Sequence, residues 1–325
     1  MLAIETNGLT RDYGELRAVD HLDLAVRPGE VYGFLGPNGA GKTTTIRLLT
    51  GLIRPTSGSA AMEGLDVSRN PLEIKARVGV VPERSNLYGE LSARDNLIFV
   101  AKLYGLSRKE WRPRAEELLA QFGLSDRAHS LFGALSGGMK RRLTIAAALV
   151  HRPSILFLDE PTTGLDVHAA RSLRQTISRL HASGVTIFLT THLIAEAEPL
   201  CDRVGIVVKG KLVAEDTPAA LCERCLEERR LELDVASPTD ALMSALRRSP
   251  EVTALSREGD TLRLSVRSVD AVLPDVVAAA REGGAEIQAV RTVVPTLEDA
   301  FVRLTGIDVE TLESDKPRGM RGGAS

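Results

Sequence analysis

Three cysteines among 325 residues, Cys201, Cys222 and Cys225, are too few for a disulfide framework and suit a reducing compartment. Charge of one sign is just as scarce. Forty-one Lys and Arg stand against 43 Asp and Glu, a formal net of −2, which leaves no overall basic field to attract nucleic acid. No apolar run approaches the ~18–20 residues that span a bilayer, so work at a membrane would need a partner to supply the membrane part. The opening MLAIETNGLT lacks a cationic stretch followed by an apolar one and is not expected to act as a secretory signal. Cys222 and Cys225 form a C-x-x-C, but no second pair completes a zinc site and no thioredoxin-like pattern surrounds them. What is present is an ordinary apolar share, 43 %. That is enough for a sizeable core in one large domain plus a small one.

Residues 1–220 alternate short β-branched runs with helical patterns. Val31–Leu35, Val78–Val81, Ile155–Leu158 and Val185–Leu189 are continuous apolar runs, as a parallel sheet covered on both faces requires. Leu2–Glu5, Leu22–Val26 and Ser59–Met62, with turns such as Pro28–Gly29, predict an antiparallel portion. Residues 87–134 favour helix and hold no clear strand, which predicts a helical insert. From residue 229 to 306 the order is strand (Leu231–Val235), helix (Pro238–Arg248), two strands, helix (Val269–Arg281), strand (Glu286–Val293) and a last helix (Leu297–Leu304). The two middle strands, Val252–Ser256 and Thr261–Val266, flank the turn Glu258–Gly259–Asp260. This is the βαββαβ order of a small ferredoxin-like α+β unit. The polar, Gly-rich tail, 309–325, is expected to be disordered.

Three motifs carry the chemistry. Gly36–Pro37–Asn38–Gly39–Ala40–Gly41–Lys42–Thr43–Thr44 fits G-x-x-x-x-G-K-[ST] between a strand and a helix. Glycines let backbone N–H groups wrap a phosphate, and the helix N-terminus adds a field that favours an anion. Lys42 can then reach the β- and γ-phosphates of a nucleotide, and the Thr43 hydroxyl can ligate Mg²⁺. The second motif is Ile155–Leu156–Phe157–Leu158 followed by Asp159 and Glu160. It puts two carboxylates at the C-terminal end of a central strand, where open α/β sheets bind ligands. Asp159 is placed to hold the metal and Glu160 to take a proton from an attacking water. In the third, Leu135–Ser136–Gly137–Gly138, Ser136 can cap a following helix.

Together these residues resemble the nucleotide-binding subunit of an ATP-binding cassette (ABC) transporter over residues 1–220. That implies a P-loop NTPase fold with antiparallel and helical subdomains. Gly36–Thr43 matches the Walker A loop, Ser136–Gly137–Gly138 the family signature and Ile155–Glu160 the Walker B strand. Asp166 falls in the D-loop, His192 at the switch histidine, and Tyr13 where the family stacks an aromatic on adenine. One departure stands out. The family usually has glutamine where this chain has Glu83, which would meet Mg²⁺ and water with a charged, acceptor-only pair of oxygens. That residue, with Pro295–Phe301 and Leu304–Gly306, resembles the drug- and polysaccharide-export branch, also called the daunorubicin-resistance type. There the small C-terminal domain would be a structural cap or dimer contact rather than a ligand sensor.

The resemblance implies a Mg²⁺-dependent ATPase at the cytoplasmic face of the cell membrane. Two copies of the chain would close over two ATP molecules, Ser136 and Gly138 of each acting on the nucleotide of the other. Residues 87–134 would pass the motion to a separate polytopic membrane permease. The alternative is a soluble ABC ATPase acting on ribosomes or DNA, disfavoured by a single cassette without sustained heptads. A regulator that does not turn over is disfavoured by the presence of Lys42, Asp159, Glu160 and His192. The cluster Lys140–Arg141–Arg142 is expected to be a solvated helix face.

Overall fold

The computed structural model describes residues 1–224, 229–236, 238–293 and 295–307. Cys225 and the expected tail lie outside them. The chain divides into two compact units, one containing Met1–Pro218 and the other Ala219–Arg303.

In the first unit the chain runs through β1 (Ile4–Tyr13), β2 (Leu16–Val26), β3 (Val31–Leu35), α1 (Lys42–Leu49), β4 (Ser57–Met62), β5 (Leu65–Asp66), α2 (Pro71–Arg77) and β6 (Val78–Val81). It continues through α3 (Ala93–Leu103), α4 (Arg108–Gln121), α5 (Gly137–Ala148), β7 (Ile155–Asp159), α6 (Val167–Ala182), β8 (Thr186–Thr191), α7 (Ile194–Ala197), β9 (Arg203–Val208) and β10 (Lys211–Asp216). α8 (Pro218–Arg224) follows and, from Ala219 on, belongs to the second unit.

Two sheets result. One is antiparallel, in the order β2-β1-β4-β5; the other runs β10-β9-β3-β8-β7-β6 and is parallel except for β10. Every residue of β3, β7 and β8 is buried, as strands covered on both faces must be. Phe188 of β8 sits at the centre of this core, its ring centroid 5.5–5.6 Å from those of Tyr32, Phe34 and Phe157.

β1 and β2 are much longer than their apolar residues suggest. Gly8 (φ +55°) and register shifts between Thr6 and Leu9 break the alternation of period two. Buried Thr6 hides its polarity by donating its hydroxyl to Leu22 O at 2.7 Å. β9 and β10 were not expected from the sequence. Between the sheets' elements, α3 and α4 form the helical insert. Ser92 caps α3 through Asp95 N, and Ser107 with Glu110 makes a capping box on α4.

The second unit runs β11 (Arg229–Ala236), α9 (Asp240–Arg248), β12 (Val252–Glu258), β13 (Thr261–Val266), α10 (Val269–Glu282), β14 (Glu286–Val293) and α11 (Leu297–Thr305). Its antiparallel sheet has the order β12-β13-β11-β14, the ferredoxin-like arrangement. Gly259 (φ +64°) turns the hairpin between Glu258 and Thr261. Leu231, Leu233 and Val235 alternate inward to meet Leu242, Leu246 and Val276 in a core of the unit's own.

Candidate active site

β3 and β7 flank β8, so the motifs at their C-terminal ends meet around the last residues of β8. Thr190 is fully buried there. Its hydroxyl donates to Asp159 Oδ1 at 2.6 Å, and the Thr43 hydroxyl donates to Asp159 Oδ2 at 3.0 Å. Asp159 is thereby locked against the first turn of α1. Continuation of the run Val185–Leu189 into two threonines was the available sign of this anchor.

Glu160 leaves β7 with φ +47°, a left-handed conformation costing a non-glycine residue about 1–3 kcal/mol. Its N–H is held by Thr190 O at 3.1 Å and Thr190 Oγ1 at 3.2 Å. The carboxylate lies between two cationic or donor groups. Oε2 accepts from His192 Nδ1 at 2.8 Å and from Thr163 Oγ1 at 3.2 Å. Since an ionised carboxylate only accepts, Nδ1 of His192 carries the proton. Oε1 is 3.2 Å from Lys42 Nζ yet buried without a hydrogen bond. Burial alone would raise the Glu160 carboxyl above its ordinary value. The His192 hydrogen bond and the Lys42 charge outweigh it and hold the group lower, so Glu160 is ionised at neutral pH.

Lys42, 6 % exposed, is gripped by its own loop, donating to Gly36 O at 2.6 Å and Pro37 O at 3.1 Å. The loop glycines have separate causes. Gly39 (φ +78°) has open space around it and is needed for conformation alone. A Cβ on Gly36 would strike Val207 O of β9, and one on Gly41 (φ +102°) would strike Ala18 O of β2. Gly210 N also bonds Ala40 O at 3.0 Å. The turn after β9 therefore braces the loop from behind, which leaves Pro37, Asn38 and Gly39 as its outer lip and Thr43 and Thr44 at the mouth of α1.

Exposed Glu83 lines the same cavity as Thr43 and Asp159. This donor set fits Mg²⁺ bound with a triphosphate. It offers a hydroxyl and one or two carboxylates, and among the described residues no group of three His, Cys, Asp or Glu could hold a metal by itself. Mg²⁺ at such sites takes its other ligands from phosphate and water. Oε1 of Glu160, buried beside Lys42, is the carboxylate oxygen that accepts no hydrogen bond.

The remaining candidates lie elsewhere. Ser136 caps α5 by accepting from Met139 N, and Asp166 caps α6 by accepting from Ala169 N at 2.8 Å. Gly137, Gly138 and Asp166 line one surface hollow with Ser136, which includes neither Lys42 nor Glu160. Gly138 lets α5 approach α6, since a Cβ there would lie 2.9 Å from that of Ala169. Tyr13, at the end of β1, is half exposed with the Arg11 guanidinium 4.6 Å above its ring.

Arg141 overturns one expectation. It is buried, 7 % exposed, not part of a solvated face. Arg142 is half buried and donates to Phe122 O at 3.0 Å. The helix α5 packs between the insert and β6, and leaves little room for solvent along that side.

The chain has close relatives. A model of the ABC transporter family matches residues 19–163. The daunorubicin/doxorubicin resistance ATP-binding protein of Streptomyces peucetius is 40 % identical over 82 % of this chain and 84 % of its own length. The Nod factor export ATP-binding protein I of Paraburkholderia xenovorans (strain LB400) is 40 % identical over 95 % of this chain and 98 % of its own. Among solved structures, a dimeric ATP-binding cassette in a post-hydrolysis state with ADP and Pi is 27 % identical, with a TM-score of 0.60 over 66 % of this chain and 98 % of its own.

Proposed function

Since the chain belongs to the ABC transporter family, whose ATP-binding subunits hydrolyse ATP, we propose that it drives export of a drug, antibiotic, lipid or polysaccharide through a separate membrane permease. It would act as a homodimer at the cytoplasmic face of the membrane. The observation that carries this reading is Glu160, ionised and strained between Lys42 and His192, with its buried Oε1 accepting no hydrogen bond.

In this reading the backbone of Gly36–Thr44 wraps the triphosphate of ATP, Lys42 pairs with its β- and γ-phosphates, and Tyr13 stacks on adenine. Thr43, Asp159 and Glu83 hold Mg²⁺, which when bound neutralises charge on the phosphate oxygens. Glu160 takes a proton from water at Oε1 while His192 fixes Oε2 and faces the γ-phosphate. Ser136, Gly137 and Gly138, with Asp166, lie in a hollow apart from this cluster and serve the nucleotide of a second copy. α3 and α4 pass closure of the dimer to the permease.

Recovery of tagged Glu160→Gln protein from native membranes with ATP and Mg²⁺ tests the reading. A polytopic membrane protein at comparable stoichiometry is expected. Ribosomes or DNA-bound factors without a membrane partner would overturn it.

Two variants probe the parts. Glu83→Ala should raise the Mg²⁺ concentration for half-maximal turnover about 10-fold; a native rate and native Mg²⁺ dependence would remove Glu83 from the metal site. His192→Ala should shift the acid limb of the kcat–pH profile. The sign follows from the balance at Glu160. His192 is the largest influence lowering the carboxyl, so its loss leaves burial less opposed and the carboxyl rises. The base is then protonated over a wider range, and the acid limb moves to higher pH. An unmoved limb would break the link between His192 and Glu160.

A further inference from the structure

We propose that Arg141 is a positioning residue for hydrolysis, a buried clamp that fixes the backbone on both sides of Glu160 and the loop bearing Glu83 in one geometry. The inference rests on the reading of Glu160 as the base. Arg141 projects from the first turns of α5 beneath the site. Nε donates to Pro161 O at 2.8 Å and Nη2 to Asp159 O at 2.8 Å, the carbonyls that flank Glu160. Nη1 donates to Pro82 O at 2.5 Å and Glu83 O at 3.2 Å. One planar fork thus joins the loop that follows β6 to the loop that follows β7. A second fastening lies one turn along α5, where the Thr144 and Ser85 hydroxyls are 2.8 Å apart.

Two features point to positioning rather than simple packing. Among the described residues no carboxylate lies within ion-pair distance of Arg141, and a buried cation without such a partner is a costly way to fill space. Burial draws the guanidinium down to about 10, against the opposing pull of Asp159, Glu83 and Glu160, so it remains charged at neutral pH. In addition, the left-handed Glu160 is the kind of backbone that persists only where its surroundings over-determine it. Arg141 holds the carbonyl before it and the carbonyl after it. Release of that grip lets the peptide relax and carries Oε1 away from the water, while Lys42 and the glycine loop still hold the phosphates.

The test uses the full chain with Arg141→Met and Arg141→Lys, measuring the Kd of radiolabelled ATP and single-turnover hydrolysis per bound ATP. Turnover per bound ATP does not depend on the folded fraction. The expected result is a Kd within about 3-fold of native and a rate per bound ATP reduced about 10²-fold in Arg141→Met, the scale of a misplacement near 1 Å. In Arg141→Lys, which keeps the charge but not the fork, the loss should be about 10-fold. A native rate per bound ATP in both variants overturns the proposal. So does loss of ATP binding in parallel with turnover, including variants that bind none, because that marks Arg141 as structural. Glu160→Gln separates the two ideas. If it hydrolyses ATP at the native rate, the reading of the base fails; if it is inactive while both Arg141 variants are native, only the clamp fails.

Discussion

Glu160→Gln is expected to lower ATP turnover about 10³-fold while leaving the Kd for ATP nearly unchanged. The substitution keeps shape and hydrogen-bonding length but removes the group that can accept a proton, and a positioned general base contributes about 10²–10⁴-fold. The residue sits in a buried pocket where Oε2 already accepts from His192 and Thr163, so Gln can retain those bonds through its carbonyl, while its amide replaces the charged oxygen that faces Lys42. None of the contacts that hold the loop around a phosphate involves Glu160 except the Lys42 pair. The same variant should therefore accumulate as an ATP-bound dimer, seen by sedimentation with ATP and Mg²⁺. Turnover within a few fold of native would assign the base elsewhere.

Lys42→Met should cut kcat/KM for ATP by about 10³-fold, the upper range for removal of one preorganised donor from a developing charge. The folded protein should suffer as well. Lys42 and Glu160 are 6 % and 7 % exposed, and loss of one member of a buried pair leaves the other uncompensated, at about 3–5 kcal/mol. Here His192 and Thr163 still support the carboxylate, so the lower end is expected. The pair predicts non-additivity. Lys42→Met with Glu160→Gln removes both charges and should be more stable than Lys42→Met alone, while remaining inactive. Chemical denaturation of the four proteins in the cycle measures the coupling. A double variant no more stable than Lys42→Met would show that the two charges do not interact in the folded protein.

The phosphate loop and the Asp159–Glu160 pair were legible because their chemistry is contiguous in sequence. A glycine-spaced lysine, or two acids after four apolar residues, needs no knowledge of distant partners. The same holds for βαββαβ in the second unit, where each strand is short, alternating and closed by recognisable turns. Elements whose reason is distant were not legible. β1 and β2 carry bulges and threonines that satisfy themselves across the sheet, so their apolar pattern ends early. β9 and β10 declare themselves through what they do to others: Val207 O leaves no room at Gly36, and Gly210 bonds Ala40. Arg141 looked solvated because two basic neighbours flank it. Only the loops at Pro82 and Pro161, 59 residues before it and 20 after it, show why it is buried.

The strand that launches the phosphate loop has no local neighbours. β3 pairs with β8 and β9, and bonds such as Gly29 N to Thr186 Oγ1 and Val31 N to Asp202 Oδ2 join residues 157 and 171 positions apart. During synthesis, Val31–Leu35 therefore waits through most of the first unit before either flank can be built. Such long-range closure slows folding and keeps apolar strand edges open to other chains. A chain released before Thr186 would contain Gly36–Thr43 intact and still have neither strand that flanks β3. Nucleotide binding should thus appear late and abruptly along a series of C-terminal truncations, as the strands from Thr186 to Val208 are restored, and not when the motif itself is complete.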